Sequence, residues 1–133
     1  MALERTAVNP VKWSVAMGFN QGEVVSGHSR TLYCAGQTAT DGDGRTRHPG
    51  DMGAQLALSA DNLAAVLDEA GMSLADLVSL KIYTTDVDVF FEHEAVLQAR
   101  LGAAGAVPTM TLLGVTRLAL PELMVELEGT AVT

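Results

Sequence analysis

The clearest pattern of apolar and polar positions begins after Asp51 and has the period of an α-helix. Asp51 is a suitable N-cap, and Gly71 is suitable for ending the helix because glycine adopts the left-handed conformation that often follows one. The apolar residues recur every three or four positions and so share one face. They are Leu56, Ala60, Leu63, Leu67 and Ala70, with Val66 beside them.

A second helical pattern begins near Asp88 and ends at Gly102. Its apolar stripe consists of Phe90, either His93 or Glu94, Leu97 and Leu101. Between and around the helices the pattern is β-prone, and the predicted strands are 23–26, 31–35, 77–84, 109–116 and 123–132. The first two strands are expected to form a hairpin or to lie side by side and antiparallel. The order β-β-α-β-α-β-β predicts an α+β sandwich, with two helices on one face of a mixed sheet.

Composition narrows the class of protein. The 133 residues fit one domain, 1–133, and 48% of them are hydrophobic while only 18% are charged. So few charges indicate a surface partly covered in an oligomer. The net charge of −8 opposes nucleic-acid binding, which depends on Lys and Arg neutralising phosphates. Because no signal peptide or membrane-length apolar run is recognisable, we expect a cytoplasmic protein without a membrane partner.

Two features that could bind metal have simpler interpretations. The run Asp41-Gly42-Asp43-Gly44 begins like a calcium loop, but Arg45 and Met52 occupy positions that should carry ligands, so a turn is predicted. The three histidines and the single cysteine, Cys34, are not clustered, and no metal or cofactor is expected.

A series of short motifs accompanies this order of elements. They are Phe19-Asn20-Gln21-Gly22, Cys34-Ala35-Gly36-Gln37, Asn62-Leu63, the segment 70–78, Lys81-Ile82-Tyr83-Thr84-Thr85-Asp86, Pro108-Thr109-Met110-Thr111 and the segment 125–132. Together they resemble the Rid family, also called YjgF and formerly "endoribonuclease L-PSP". The resemblance covers the chain from about Phe19 to Val132. It implies a chorismate-mutase-like subunit, a homotrimer, and a small-molecule cleft between each pair of subunits.

Active members of this family hydrolyse enamines and imines such as 2-aminoacrylate without cofactor or metal. The resemblance implies that their arginine, two residues after the proline of the fourth-strand motif, holds the substrate carboxylate, and that a last-strand glutamate handles water. Here the arginine position is Met110 and the glutamate is Glu126. A thioether cannot replace the bidentate fork of a guanidinium. Arg117 or Arg30 could take over only if the fold brought one of them into the cleft.

The resemblance also implies the other substrate-binding positions, and most of them are altered. Phe19 replaces a tyrosine and Ala35 replaces a serine, with Gly36 beside it. Glu94 replaces an asparagine, and Leu112 replaces a small polar residue or cysteine. The expected cleft is therefore more apolar and more anionic than that of an active relative, which disfavours a free carboxylate ligand.

Two hypotheses follow, and the sequence leaves both open. The chain is either a diverged hydrolase with Glu126 as its catalytic residue, acting on an imine, enamine or carbonyl compound, or a non-catalytic ligand-binding or regulatory trimer. Nuclease action is disfavoured because it needs a metal or a cationic phosphate clamp. Glu126 and Glu128 share one strand face, where repulsion and burial would raise a pKa. His93 is expected on a solvated helix face.

Overall fold

The computed structural model describes residues 2–133. Within them the strands are β1 (Glu4–Val8), β2 (Gly22–Ser26), β3 (Thr31–Tyr33), β4 (Leu77–Thr84), β5 (Thr109–Gly114) and β6 (Val125–Val132). The helices are α1 (Trp13–Ala16), α2 (Met52–Glu69), α3 (Val87–His93) and α4 (Ala95–Ala103). A 3-10 turn, Leu74–Asp76, leads into β4.

The main sheet has four strands in the order β3-β6-β4-β5. Strand β6 is antiparallel to both of its neighbours, whereas β4 and β5 are parallel and joined by the crossover that contains α3 and α4. Buried side chains of α2, α4 and the sheet form one hydrophobic core, so the helices cover one face of the sheet. The predicted α+β architecture with a mixed sheet is confirmed.

The predicted pairing of the first two strands is wrong. Strand β2 pairs antiparallel with β1, from Glu4 opposite Ser26 to Val8 opposite Gly22, and β3 pairs with β6 instead. Strand β1 was not predicted because four of its five residues are exposed, so it has no apolar alternation to detect. Arg5 fixes this ribbon: it pairs with Glu23, and it donates to the backbone oxygens of Ala75 (2.6 Å) and Leu77 (2.8 Å).

Helix α2 follows its predicted pattern closely. The Asp51 carboxylate accepts a hydrogen bond from the Ala54 N–H at 3.0 Å, as an N-cap should. Gly71 has φ of +73°, the left-handed conformation that glycine adopts without penalty. The predicted face is buried against the sheet at Leu56, Ala60, Leu63 and Leu67, and Ala70 packs at its edge.

The second predicted helix is two helices. α3 and α4 meet at Glu94, whose backbone remains helical (φ −59°, ψ −23°) and whose oxygen still accepts the Gln98 N–H at 3.0 Å. The two helices are therefore separated only by Glu94, whose backbone keeps a helical conformation. Phe90, Leu97 and Leu101 are buried as predicted, while Glu94 is half-buried at the junction of the two helices.

Candidate functional site

Four of the predicted substrate-binding residues line one pocket. Phe19, Glu94, Met110 and Leu112 surround a cavity of about 200 Å³ between β5, α3, α4 and the segment around α1. The remaining lining residues are Trp13, Met17, Ile82, Phe90, Phe91, Leu97 and Gln98. Most of the wall is therefore apolar, and Glu94 is the one ionisable side chain in it.

Strand pairing places Met110 and Leu112 at the floor of this pocket. They lie opposite Leu80 and Ile82 of β4, which are buried, and both pack against the core beneath the helices. Side chains alternate between the two faces of a strand, so Met110 and Leu112 share the helix-covered face.

The segment that carries Trp13 and Phe19 is held against the pocket by specific contacts. Gly18 has φ of +88°, a left-handed conformation that favours glycine, and a Cβ there would lie 2.6 Å from Gln98 Oε1, so the Gln98 side chain would have to shift. Asn20 donates to the backbone oxygen of Val107 at 3.1 Å, just before β5. The edge-to-face pair of Trp13 and Phe19, with ring centroids 5.8 Å apart, is thereby fixed beside the strand that carries Met110.

The other predicted site residues form a second group. Glu126 lies on β6 against the turn that follows β3, and its carboxylate contacts Gly36 so closely that a Cβ on Gly36 would be 1.8 Å from Oε1. Ala35, beside Gly36, is exposed. Only a residue without a side chain can occupy position 36 while Glu126 keeps this conformation.

Burial, and secondarily the charge of Glu128, raises the pKa of the half-buried Glu126 carboxyl. The expected pKa shift of this pair is thus found on Glu126. Glu128 has a structural partner instead, because its Oε1 accepts the Tyr83 hydroxyl at 3.0 Å. That hydrogen bond is also the main reason why the pKa of Tyr83 is raised.

The two groups lie on opposite faces of the sheet. Glu126 alternates with Val125 and Leu127, which are buried in the core beneath the helices, so its side chain faces away from them. Met110 and Leu112 face the helices. A single chain therefore does not bring Glu126 together with Glu94 or Met110.

Comparison with known proteins identifies the family. A family model described as Endoribonuclease L-PSP matches residues 11–133. The chain belongs to this family. Its Rid-family relative YyfB from Yersinia pestis, a protein of unknown function, is 34% identical with a TM-score of 0.83, covering 100% of both chains. Protein mmf2, mitochondrial, of Schizosaccharomyces pombe is 36% identical over 88 residues, 66% of each protein. Escherichia coli TdcF, solved with bound serine, is 26% identical with a TM-score of 0.70, covering 86% of this chain and 87% of TdcF.

In this Rid-family chain Arg117 and Arg30, which the sequence left open as possible substitutes for an arginine at position 110, make their hydrogen bonds outside the Met110 pocket. Arg117 donates to the backbone oxygens of Leu118 and Ala119 in its own loop. Arg30 donates to the Ala70 oxygen at the end of α2, and Arg100 pairs with Asp61. Within residues 2–133 no lysine or arginine lines the pocket.

Other candidate groups stay outside the pocket. The half-buried His93 does not line it, and its Nδ1 lies 3.0 Å from the Val89 oxygen within α3. Among the described residues, no three His, Cys, Asp or Glu side chains are placed to hold a metal ion. The same part of the chain contains no helix long and apolar enough to cross a membrane.

Sequence reasoning missed most of the aromatic wall. Trp13, Phe90 and Phe91 line the pocket, yet Trp13 is 59% exposed on a four-residue helix that no periodicity could reveal. The signal available in the sequence was composition: six aromatic residues in all, of which one is the sole tryptophan, Trp13, and two are the adjacent Phe90 and Phe91. Exposed aromatic residues of this kind are enriched in binding sites.

Proposed function

We propose that this Rid-family protein is a single-domain homotrimer that hydrolyses an imine, enamine or related carbonyl compound lacking a carboxylate. One observation carries the proposal. The pocket around Met110 is aromatic and aliphatic, and the only charge in its lining is the carboxylate of Glu94. An anionic substrate would meet a like charge and no guanidinium.

The substituted positions support the same choice of substrate. Met110 stands where the family resemblance places the arginine, and Phe19 and Ala35 stand where it places hydroxyl groups. A buried carboxylate without a paired cation is costly, and loss of one partner of such a pair costs about 2–5 kcal/mol. A neutral or cationic apolar molecule avoids that cost, and the apolar walls favour its burial.

The proposed reaction is hydrolysis. Glu126 accepts a proton from water as the water oxygen bonds to the carbon of the C=N group, and it delivers that proton to the nitrogen to give a neutral carbinolamine. The Glu126 carboxylate then accepts the hydroxyl proton as the C=O bond forms and the C–N bond breaks, and it passes this proton to the leaving nitrogen. The products are a carbonyl compound and ammonia or an amine, and the carboxylate is regenerated. Burial raises the pKa of the Glu126 carboxyl, and a raised pKa favours a carboxyl group that must both accept and donate a proton.

The trimer is proposed because one chain supplies the site in two separated halves. The Met110 pocket lies on the helix side of the sheet, and Glu126 with Gly36 lies on the other side. A neighbouring subunit that presents its open sheet face to the pocket would unite them. The family resemblance implies this arrangement, and Tyr33, which is 80% exposed on β3, is suited to such a contact.

The substrate is tested with matched imines. A flavin amine oxidase acting on isoamylamine releases a carboxylate-free imine, and an amino-acid oxidase acting on leucine releases the counterpart that carries a carboxylate. We expect this protein to accelerate hydrolysis of the first and not of the second, nor of 2-aminoacrylate generated from serine. Glu126→Gln should abolish the acceleration. A rate on 2-aminoacrylate equal to that of an arginine-bearing relative would overturn the proposal.

The shared site is tested by mixing two inactive variants. Leu112→Trp fills the pocket, and Glu126→Gln removes the proposed acid–base group. If subunits exchange freely in a 1:1 mixture, about a quarter of the clefts of a cyclic trimer combine one intact pocket with one intact Glu126. Activity should therefore return to about a quarter of the parent level. A mixture that stays inactive after confirmed exchange contradicts a cleft built from two chains.

A non-catalytic ligand-binding trimer remains the second proposal. It is favoured by the lining itself, in which Glu94, Gln98 and the Trp13 indole are the only side chains with hydrogen-bonding groups. Binding of the imine's stable amine analogue without acceleration of any imine would support it. In either case we propose a cytoplasmic location, which fits a single free, buried Cys34. Cell fractionation would test this location, and the test is needed because the name of the relative mmf2 includes the word mitochondrial.

A further inference from the structure

The aromatic residues of this chain are concentrated at one place. The sequence contains one tryptophan, three phenylalanines and two tyrosines. The tryptophan and all three phenylalanines line the Met110 pocket, whereas neither tyrosine does. A hydrophobic core alone would not require this, because Trp13 and Phe91 are 59% and 49% exposed.

The rings form two edge-to-face pairs, and one carboxylate lines the same cavity. Trp13 and Phe19 cross at 81°, and Phe90 and Phe91 cross at 67° with centroids 5.9 Å apart. The carboxylate belongs to Glu94, at the junction of α3 and α4. Rings that are nearly perpendicular present π-faces in several directions, as an aromatic cage does.

We propose that this pocket selects an organic cation, namely an iminium or ammonium group that carries an apolar substituent. The inference rests on the proposed function and names its substrate class. Ring faces attract a cation through their quadrupole, and Glu94 supplies the opposite charge, while the aliphatic side chains of Met110 and Leu112 receive the substituent. A carboxylate in the same position would be repelled by Glu94 and would find no cationic side chain in the lining.

The choice of charge also fits the chemistry. A protonated imine is a cation and is more electrophilic at carbon than the neutral imine, so a pocket that favours the cation favours the form that water attacks. The oxygen of water bonds to that carbon, and its proton goes to a base. The π electrons of the C=N bond move to nitrogen, which thereby loses its positive charge. The product carbonyl compound is neutral, and it would be held less tightly than the substrate.

Three probes of one shape test the inference: cyclohexylammonium, cyclohexanol and cyclohexanecarboxylate. The fluorescence of Trp13, the only tryptophan in the sequence, reports binding directly because its ring lines the pocket. Calorimetry supplies the affinity independently. We expect the ammonium ion to bind about tenfold or more tightly than the alcohol, and the carboxylate to bind weakest.

Two charge-matched variants locate the preference. Glu94→Gln keeps the shape of the side chain and removes its charge, and it should lower ammonium affinity about tenfold while leaving cyclohexanol unchanged. Glu92→Gln removes the same charge from an exposed residue of α3 that does not line the pocket, and its effect should stay below about twofold in physiological salt. Phe91→Leu should weaken ammonium binding more than alcohol binding.

The outcomes separate the two proposals. Carboxylate binding as tight as ammonium binding, or equal effects of Glu94→Gln and Glu92→Gln, overturns the cation preference and leaves a small-molecule pocket in place. Failure of all three probes to bind the folded parent protein overturns both, because the pocket is then not a ligand site. Tight ammonium binding that depends on Glu94 supports both.

Discussion

Replacing Gly36 by alanine should disturb Glu126 specifically. The added Cβ would lie 1.8 Å from Glu126 Oε1, 2.5 Å from Cδ and 2.8 Å from Cγ. Since carbon and oxygen atoms rest about 3.5 Å apart, the carboxylate must retreat by about 1.5–2 Å. Overpacking of this kind costs about 1–3 kcal/mol. Alanine also reduces the conformational entropy of the unfolded chain, which stabilises the folded protein by about 0.4–1 kcal/mol. The free energy of unfolding should therefore fall by about 1–2 kcal/mol in total.

Denaturant unfolding at one fixed subunit concentration measures this loss, because subunit association contributes to the midpoint. Gly42→Ala is the matched control, since a Cβ there meets nothing within 4 Å and its φ is not left-handed, and it should be neutral or slightly stabilising. In a Glu126→Ala background the clashing atoms are absent. There Gly36→Ala should stabilise the protein by about 0.4–1 kcal/mol.

The two backgrounds give a double-mutant cycle with an expected coupling of about 2 kcal/mol between positions 36 and 126. Equal effects of Gly36→Ala in both backgrounds would refute the contact, and with it the argument that glycine is required because Glu126 occupies its side-chain space. Activity supplies a second readout. If Glu126 handles water, its displacement by more than 1 Å should lower turnover well before the protein unfolds.

Three further changes have defined outcomes. Burial raises the pKa of Glu126, so the folded chain binds more protons than the unfolded chain at pH values between the two states' pKa values, and the protein loses stability as pH rises through this range. Glu126→Gln should therefore be more stable than the parent at neutral pH by less than about 1 kcal/mol, and the difference should vanish in acid. Unfolding measured as a function of pH checks this. Asp51→Ala removes the 3.0 Å cap of α2 and should cost about 1 kcal/mol in thermal unfolding, whereas Asp51→Asn should cost less. Met110→Arg places a guanidinium in the pocket that Glu94 lines, so we expect an internal ion pair. The single variant should therefore lack full 2-aminoacrylate deaminase activity, and adding Glu94→Asn should improve it. Full activity of the single variant would contradict this.

Sequence patterns predicted the parts of the fold that bury an apolar face. Strand β4 and helix α2 agree with their predicted ranges because burial imposes the periods of two and of about 3.6 residues on them. The β1-β2 ribbon obeys no such rule, since its position depends on Arg5 reaching backbone oxygens some 70 residues away in sequence. The pairing of β3 with β6 is equally non-local, and a strand of three residues carries too little pattern to choose its partner.

The candidate site was predicted by resemblance rather than by spacing. Phe19, Glu94, Met110 and Leu112 lie on different elements, and only the tertiary structure brings them to one cavity. The break between α3 and α4 at Glu94 left no mark in the sequence, because its backbone stays helical and no proline or glycine accompanies it. Trp13 and Phe91 were missed for the same reason that β1 was: exposed residues do not contribute to an apolar period.

The alternation of side chains along the strands nevertheless carries one signal in the sequence that bears directly on mechanism. In the run from Thr109 to Leu112 the larger apolar residues, Met110 and Leu112, alternate with threonines, which assigns both to the core-facing side. Glu126 lies between Val125 and Leu127, so it belongs to the opposite side. Since β5 and β6 both pair with β4 in one sheet, side chains on opposite faces of these strands cannot meet across it. A reaction that uses both Met110 and Glu126 must therefore be completed by a second chain, and this requirement follows from side-chain alternation together with the strand pairing, whatever the substrate.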